Sequence, residues 1–363
     1  MTTKNTKSSQ DNLLAAFDAG EARALARAIS WVENARPGFE QLLSSLHDRV
    51  GSAHRIGITG PPGAGKSTLI HGLARLVRAE RGERVGVVAV DPTSPFTGGA
   101  LLGDRIRMTG TAGDDGVFIR SMASRGSTGG LATTTREVAD LMDAFGFERV
   151  VVETVGVGQS ELEIAEAADT TVVVLTPESG DSIQAMKAGL MEIADVFVVN
   201  KADRPEAARA AGELKTILRL RQGQLYDRVP AHHGVDLTEM AKRGVEKRGK
   251  SEQQTAEPKR WGIPVLLSTG HTGEGVPELL QALDAHYEWL KATGTLEERR
   301  SKRLLERVRA VVDRGLKNRV WQEGDGIAIL EAAQNDLVTG RRTPYDVAGE
   351  ILGRLGAEAE CDQ

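Results

Sequence analysis

Eight consecutive residues, Gly60-Pro61-Pro62-Gly63-Ala64-Gly65-Lys66-Ser67, have the types and spacing needed to hold a chain of phosphates. They fit GxxxxGK[ST], in which glycines let successive backbone N–H groups turn inward around a β-phosphate. Lys66 adds a positive charge at the β/γ oxygens, and the Ser67 hydroxyl reaches a Mg²⁺ ion. An apolar strand candidate, Arg55 to Thr59, precedes the loop, and a helix-like stretch opens at Thr68 and runs to Arg81. A glycine-rich turn that merely contained Lys-Ser would need neither neighbour. These residues predict a nucleoside triphosphate site.

A second group concerns the base. Asn200-Lys201-Ala202-Asp203 ends an apolar run downstream of the phosphate loop. A carboxylate at Asp203 can accept from two adjacent guanine donors, N1–H and the exocyclic amine. Adenine has no N1–H, and leaving a buried acceptor unpaired costs about 1–3 kcal/mol. Asn200 can bridge back toward the phosphate loop, and the Lys201 stem can lie on the base face. Ser268-Thr269-Gly270, after the last strand candidate, is placed to offer a backbone N–H to guanine O6. The expectation is GTP/GDP rather than ATP.

Two acids end strand candidates where a Mg²⁺ ion would sit: Asp91 after Val85–Val90, and Glu153 after Val150–Val152. Magnesium takes oxygen ligands and keeps several waters, so one or two carboxylates with Ser67 and phosphate suffice. Helix capping or a surface ion pair is the alternative for each acid. Gly156 lies where an N–H would meet the γ-phosphate, and Val157–Glu161 can respond when that phosphate leaves. Between Asp91 and Met108 runs a long connection dense in Gly, Pro, Ser and Thr. Within it Asp104 and Arg107 lie one helical turn apart and can face the phosphates, or form an ordinary surface pair.

The elements that must position these groups follow from apolar patterning. Strand candidates are Ile56–Thr59, Val85–Val90, Val117–Ser121, Val150–Glu153, Thr171–Leu175, Val196–Asn200 and Val265–Ser268. They read as continuous apolar runs, as in a parallel sheet covered on both faces. The spacing Thr134-Thr135-Arg136-Glu137 predicts a capping box opening a helix. Residues 1–10 are polar and predicted to lack structure, and two helices broken at Pro37 follow up to about residue 50. The fold class is therefore α/β: a doubly wound, mainly parallel sheet with N- and C-terminal helical extensions. Residues 1–50 form the tail and arm, 51–290 the nucleotide domain, and 291–363 the C-terminal helices, with Thr343-Pro344 a helix start. Residues 222–260 are a polar, charge-rich insertion.

With 363 residues, 40% of them hydrophobic, the chain can build a large core, mostly aliphatic because aromatics are only 4%. A net charge of −5 speaks against a dedicated nucleic-acid binder, and glutamates interleave the basic run Lys242–Lys250. The longest apolar runs are strand-sized, far short of a membrane span, and Met1–Asp11 lacks the apolar core of a secretory signal. Cys361 is the single cysteine. A soluble, cytoplasmic protein is expected.

At these motifs the chain resembles the methylmalonyl-CoA mutase-associated GTPases, the MeaB/ArgK group of the SIMIBI class of P-loop GTPases. The resemblance rests on Gly60–Thr68, Asp91–Met108, Glu153–Glu161 and Asn200–Asp203, and covers most of residues 10–220 and 260–360. The second and third stretches are long and unusual, so they are more specific than the phosphate loop. The stretch 222–260 is longer than the family pattern. The resemblance implies a homodimer held by the C-terminal helices and a partner that is an adenosylcobalamin-dependent acyl-CoA mutase, above all methylmalonyl-CoA mutase. GTP binding and hydrolysis would gate cofactor loading and protect that mutase. Ser67, Asp91, Asp104 and Glu153 would form the Mg²⁺ shell, directly or through water. Asp91–Met108, Glu153–Glu161 and Glu178–Lys187 would be switches, with Asp181 and Lys187 in signalling. For hydrolysis, Lys66 stabilises developing charge, Gln159 is a candidate to orient water, and Arg107 a candidate finger. A nickel-insertion GTPase would need Cys and His ligands, and only Cys361 and His232-His233 stand out. An ATPase or kinase linked to amino-acid transport is the other alternative, opposed by Asp203.

Overall fold

The computed structural model describes residues 2–92, 114–124, 133–154, 160–177, 189–221 and 260–361. Three helices come first: α1 (Thr2–Asp18), α2 (Ala22–Glu33) and α3 (Phe39–Ser45). Strands and helices then alternate: β1 (His54–Thr59), α4 (Lys66–Arg81), β2 (Val85–Pro92), β3 (Val117–Ser124), α5 (Thr133–Ala144), β4 (Arg149–Thr154) and α6 (Ser160–Ala167). Next are β5 (Thr170–Leu175), α7 (Leu190–Ile193), β6 (Val196–Asn200), α8 (Ala207–Arg221), β7 (Val265–Ser268) and α9 (Val276–Ala292).

All seven predicted strands are present and pair in parallel, in the order β3-β2-β4-β1-β5-β6-β7. β4, β5 and β6 are buried along their whole length, which is why their sequences are unbroken apolar runs rather than alternating ones. α4 and α9 cover one face: Leu69, Leu73, Val77, Leu279 and Leu283 share a core with Ile56, Ile58, Val172 and Val198. On the other face the N-terminal arm and α5 close a core with β2 and β4, through Leu13, Leu25, Ile29, Val138, Leu141, Val88 and Val152. Each fully buried Leu or Ile in these layers contributes about 1.5–3 kcal/mol. The arm is therefore one layer of the sheet's cover. Because β1 lies between β4 and β5, strand order reverses beside it, and the crevice at its carboxyl end is where an open α/β sheet binds ligand.

Three details depart from the sequence-based expectation. α1 already begins at Thr2, and Gln10 Nε2 donates to Gly38 O at 2.9 Å, tying this helix to the entry of α3. The arm has an additional break at Gly20, whose φ of 76° ends α1 in a left-handed turn. α5 opens at Thr133, one residue before the predicted start at Thr134, and Glu137 in its first turns is buried.

The amino ends of the strands are closed by charge networks. Asp143 accepts the N–H groups of Gly51, Ser52 and Ala53 at 2.8, 3.1 and 2.9 Å. Arg55 Nη2 bridges Asp140 and Asp143 at 2.7 and 2.9 Å. Burial pulls the Arg55 pKa down, but Asp140 and Asp143 outweigh it and hold the group charged, above its ordinary value. Nearby, Thr170 Oγ1 lies 2.8 Å from His54 Nε2 and 2.9 Å from His286 Nδ1. The other ring nitrogen of His286 is 3.3 Å from Asp195, which also receives Arg299. Burial works against ionising Asp195, yet His286 and Arg299 hold its carboxyl below the usual range.

The chain divides after Arg299, and residues 300–363 form a second unit. Its elements are α10 (Thr295–Asn318, begun in the first unit), a π-type turn at Arg319–Glu323, α11 (Gly326–Val338) and α12 (Pro344–Cys361). Val320, Ile329, Ala333, Val347 and Ile351 make its small core. Thr343 and Asp346 cap α12 reciprocally: Thr343 N donates to Asp346 Oδ2 at 2.8 Å, and Asp346 N to Thr343 Oγ1 at 3.2 Å. Among the described residues no helix is long and apolar enough to cross a membrane.

Candidate nucleotide site

The loop from Gly60 to Gly65 joins the central strand β1 to α4, and its backbone is pressed against two neighbours. Gly60 has φ 135°, and a Cβ there would lie 2.0 Å from the Val174 carbonyl oxygen of β5. Gly65 has φ 84°, and a Cβ would come within 2.4 Å of Asn200 Nδ2. Only glycine satisfies both conformation and space at these two positions. Pro61, Pro62, Gly63 and Ala64 complete the turn, and Thr68 lies in the first turn of α4. No side chain caps α4 at Gly65, so the positive end of the helix dipole meets the loop.

Lys66 is buried inside its own loop, where Nζ donates to Gly60 O at 2.7 Å and Pro61 O at 3.0 Å. Those carbonyls hold the ammonium where oxygens of a polyphosphate would compete for it. Beside it, Ser67 Oγ donates to Glu153 Oε1 at 2.7 Å, and both residues are buried. Ser67 comes from the first turn of α4 and Glu153 from the end of β4. The ladders place Glu153 opposite Ile58 of β1 and Ala89 of β2, so Asp91, the penultimate residue of β2, lies at the same rim. A hydroxyl and a carboxylate are hard oxygen donors, and with phosphate oxygens and waters they fit Mg²⁺. Among the described residues, no group of three or more His, Cys, Asp or Glu could hold a metal.

One polar pair here escaped sequence reasoning. Thr154 Oγ1 donates to Thr59 Oγ1 at 2.9 Å across the ends of β4 and β1. A threonine closing each of two apolar runs was the available signal.

At the base end, Asn200 is buried and both polar atoms of its amide are hydrogen-bonded. Nδ2 donates to Ala64 O at 2.7 Å, and Oδ1 accepts from Gly270 N at 3.0 Å. It therefore couples the phosphate loop to the turn after β7, the bridging role its position predicts. Lys201 has φ 59°, a left-handed conformation that costs a non-glycine residue about 1 kcal/mol or more. That turn leaves Asp203 exposed while Ala202 N donates to Ser268 O at 2.9 Å. Thr269 N donates to Glu274 O at 2.9 Å, and Ser268 Oγ to the same carbonyl at 3.1 Å. The Thr269 and Gly270 N–H groups are thus both bonded within the protein.

Asp104, Arg107, Gly156 and Gln159 lie outside the described residues, as do Asp181, Lys187 and the insertion from 222 to 259. For Asp91 the backbone alone is described.

The chain matches the family described as methylmalonyl Co-A mutase-associated GTPase MeaB over residues 25–325. A putative GTPase of Pyrococcus horikoshii is 44% identical over 302 residues, 83% of this chain and 85% of that protein. The mitochondrial methylmalonic aciduria type A homolog of Mus musculus is 36% identical over 253 residues, 63% of this chain and 61% of that protein. A solved structure, of a LAO/AO transport system kinase, covers 96% of this chain and 98% of its own at 25% identity, with a TM-score of 0.63. The family match spans the parallel sheet, the phosphate loop, Glu153 and the Asn200–Asp203 turn together. With that geometry and that match, the chain belongs to the methylmalonyl-CoA mutase-associated GTPases of the MeaB group and is a P-loop enzyme that hydrolyses GTP.

Proposed function

We propose that this GTPase serves an adenosylcobalamin-dependent acyl-CoA mutase, methylmalonyl-CoA mutase first among them, gating cofactor loading and protecting the mutase from inactivation. The observation that carries this reading is the family match over residues 25–325, and the name of the Mus musculus relative adds to it.

The site's geometry supports a switch. Lys66 exchanges the carbonyls of Gly60 and Pro61 for the β/γ oxygens of GTP, and the Ser67 hydroxyl turns from Glu153 toward the cation side. Mg²⁺, held by Ser67 with Asp91, Asp104 and Glu153 directly or through water, would neutralise phosphate charge. Glu153 immediately precedes residues 154–161, the segment that would respond to a change in its hydrogen bonding. Asp203 accepts from the guanine ring and excludes adenine. Lys66 stabilises the charge that develops as the γ-phosphate leaves, Gln159 orients water, and Arg107 enters as a finger when the mutase docks.

A homodimer is part of this proposal. Leu305, Val308 and Val312 on α10 are 64%, 61% and 53% exposed, with Leu304 and Leu316 beside them at helical spacing. Such a stripe suits a second copy of the same helix.

Turnover of GTP, measured alone and with methylmalonyl-CoA mutase, tests the assignment. Stimulated hydrolysis and GTP-dependent cofactor loading are expected, and Arg107→Ala should abolish the stimulation while sparing nucleotide affinity. Equal rates with and without the mutase, and no complex, would count against it.

A further inference from the structure

A cavity beside α2 is lined by Ala26, Arg27, Ser30, Trp31, Arg36 and Arg120, with a volume of about 390 Å³. It lies between one face of α2 and the edge strand β3. The GTPase reading uses none of these residues. Their arrangement is built: Arg120 Nε donates to Glu33 Oε1 at 3.0 Å and its Nη2 to Ser30 Oγ at 3.2 Å. Trp31 Nε1 donates to Pro37 O at 3.1 Å, which fixes the indole. Arg36 is carried over the cavity by the turn after α2, in which Ala35 takes φ 43° and Arg36 N bonds to Trp31 O at 3.1 Å. Alanine in that left-handed position carries strain that glycine would relieve.

Charge decides what fits. Three arginines and no acidic residue line the cavity. Glu33 neutralises Arg120, whereas Arg27 and Arg36, both exposed residues, have no ion-pair partner among the described residues. Two positive charges remain, and a phosphate monoester carries about −1.5 to −2 near pH 7. Guanidinium forks match phosphate oxygens in bidentate geometry, and an indole wall favours a ligand with a flat or apolar body. A cavity of this size also falls within the range of small-molecule sites, about 300–1,000 Å³.

We propose that this cavity is a second ligand site, which binds a small organic phosphate monoester through Arg27 and Arg36 with its body against Trp31. The test uses the full chain with its phosphate loop first saturated by GDP. That step is measured separately, so a failure to bind GDP is distinct from a failure here. Phenyl phosphate is then titrated calorimetrically. Expected is saturable binding, at least tenfold tighter than inorganic phosphate. The affinity should fall at least tenfold in the Arg27→Ala/Arg36→Ala double variant, with GDP affinity unchanged. In Trp31→Ala the preference over inorganic phosphate should shrink. No binding, or the same affinity in the double variant, would overturn the site. A phosphotyrosine peptide binding tenfold more tightly than phenyl phosphate would overturn the small-molecule assignment in favour of a docked protein.

Discussion

At the amino ends of the strands, Asp143 receives three backbone N–H groups and Arg55, and Asp195 receives Arg299, the Thr171 N–H and the edge of His286. At the carboxyl ends of the same strands, Lys66 bonds the carbonyls of its own loop, and Ser67 donates to a single carboxylate, Glu153. Both ends bury charged residues. In the first, each carboxylate meets complementary charge and donors drawn from elements distant in the chain, which fixes how the layers dock. In the second, the groups come from one loop and the adjoining strand end, and a ligand's oxygens can replace their present partners. Polar residues that complete one another hold the fold together, whereas those resting on exchangeable partners are free to do chemistry.

The comparison breaks most visibly at Lys66. Lys66→Ala should reduce GTP turnover by about 10³-fold or more, since in the proposed mechanism it removes charge stabilisation made in the transition state. The melting temperature should move by only a few degrees; a matching collapse of stability in thermal unfolding would erase the distinction between the two ends. Asp143→Ala is the converse. It leaves Arg55 short of a partner and three N–H groups without an acceptor, for an expected loss of about 3–5 kcal/mol in denaturant unfolding. GTP affinity of the folded fraction should stay within about twofold, because Asp143 sits at the amino end of β1 and the loop at its carboxyl end.

A smaller effect concerns pH. The folded Asp195 pKa lies below its unfolded value, so at acid pH the native state binds fewer protons than the unfolded chain. Its stabilisation is complete above the unfolded carboxylate pKa, about 4, and is lost as pH falls through the lower folded value. Asp195→Asn should therefore flatten the acid limb of a stability–pH curve below about pH 4. An unchanged limb would remove Asp195 from the network's energetics.

The two ends were also unequally legible in the sequence. The seven strands could be located because a doubly covered parallel sheet writes itself as short apolar runs, and the phosphate loop and Asn200–Asp203 could be read because their chemistry is local. The amino-end network could not, since His54, Thr170, Asp195, His286 and Arg299 are scattered over the chain and share no spacing rule. Boundaries slipped for a related reason. β1 starts at His54, two residues before the apolar run, because the Thr170 hydroxyl satisfies its ring inside the sheet. Ser268-Thr269-Gly270 was placed at the right end of β7, but its bonds to Glu274 and Asn200 depend on a turn that no short motif encodes.

The central claim is a pocket with Asp203 at its base end and Lys66 at its phosphate end. Calorimetric titration of the purified chain with GTP, GDP and ATP in the presence of Mg²⁺ tests it most directly. Both guanine nucleotides should bind, with ATP at least about 100-fold weaker, in line with the cost of unpaired polar groups. Heat from ATP equal to that from GTP, or none from any of the three, would contradict it.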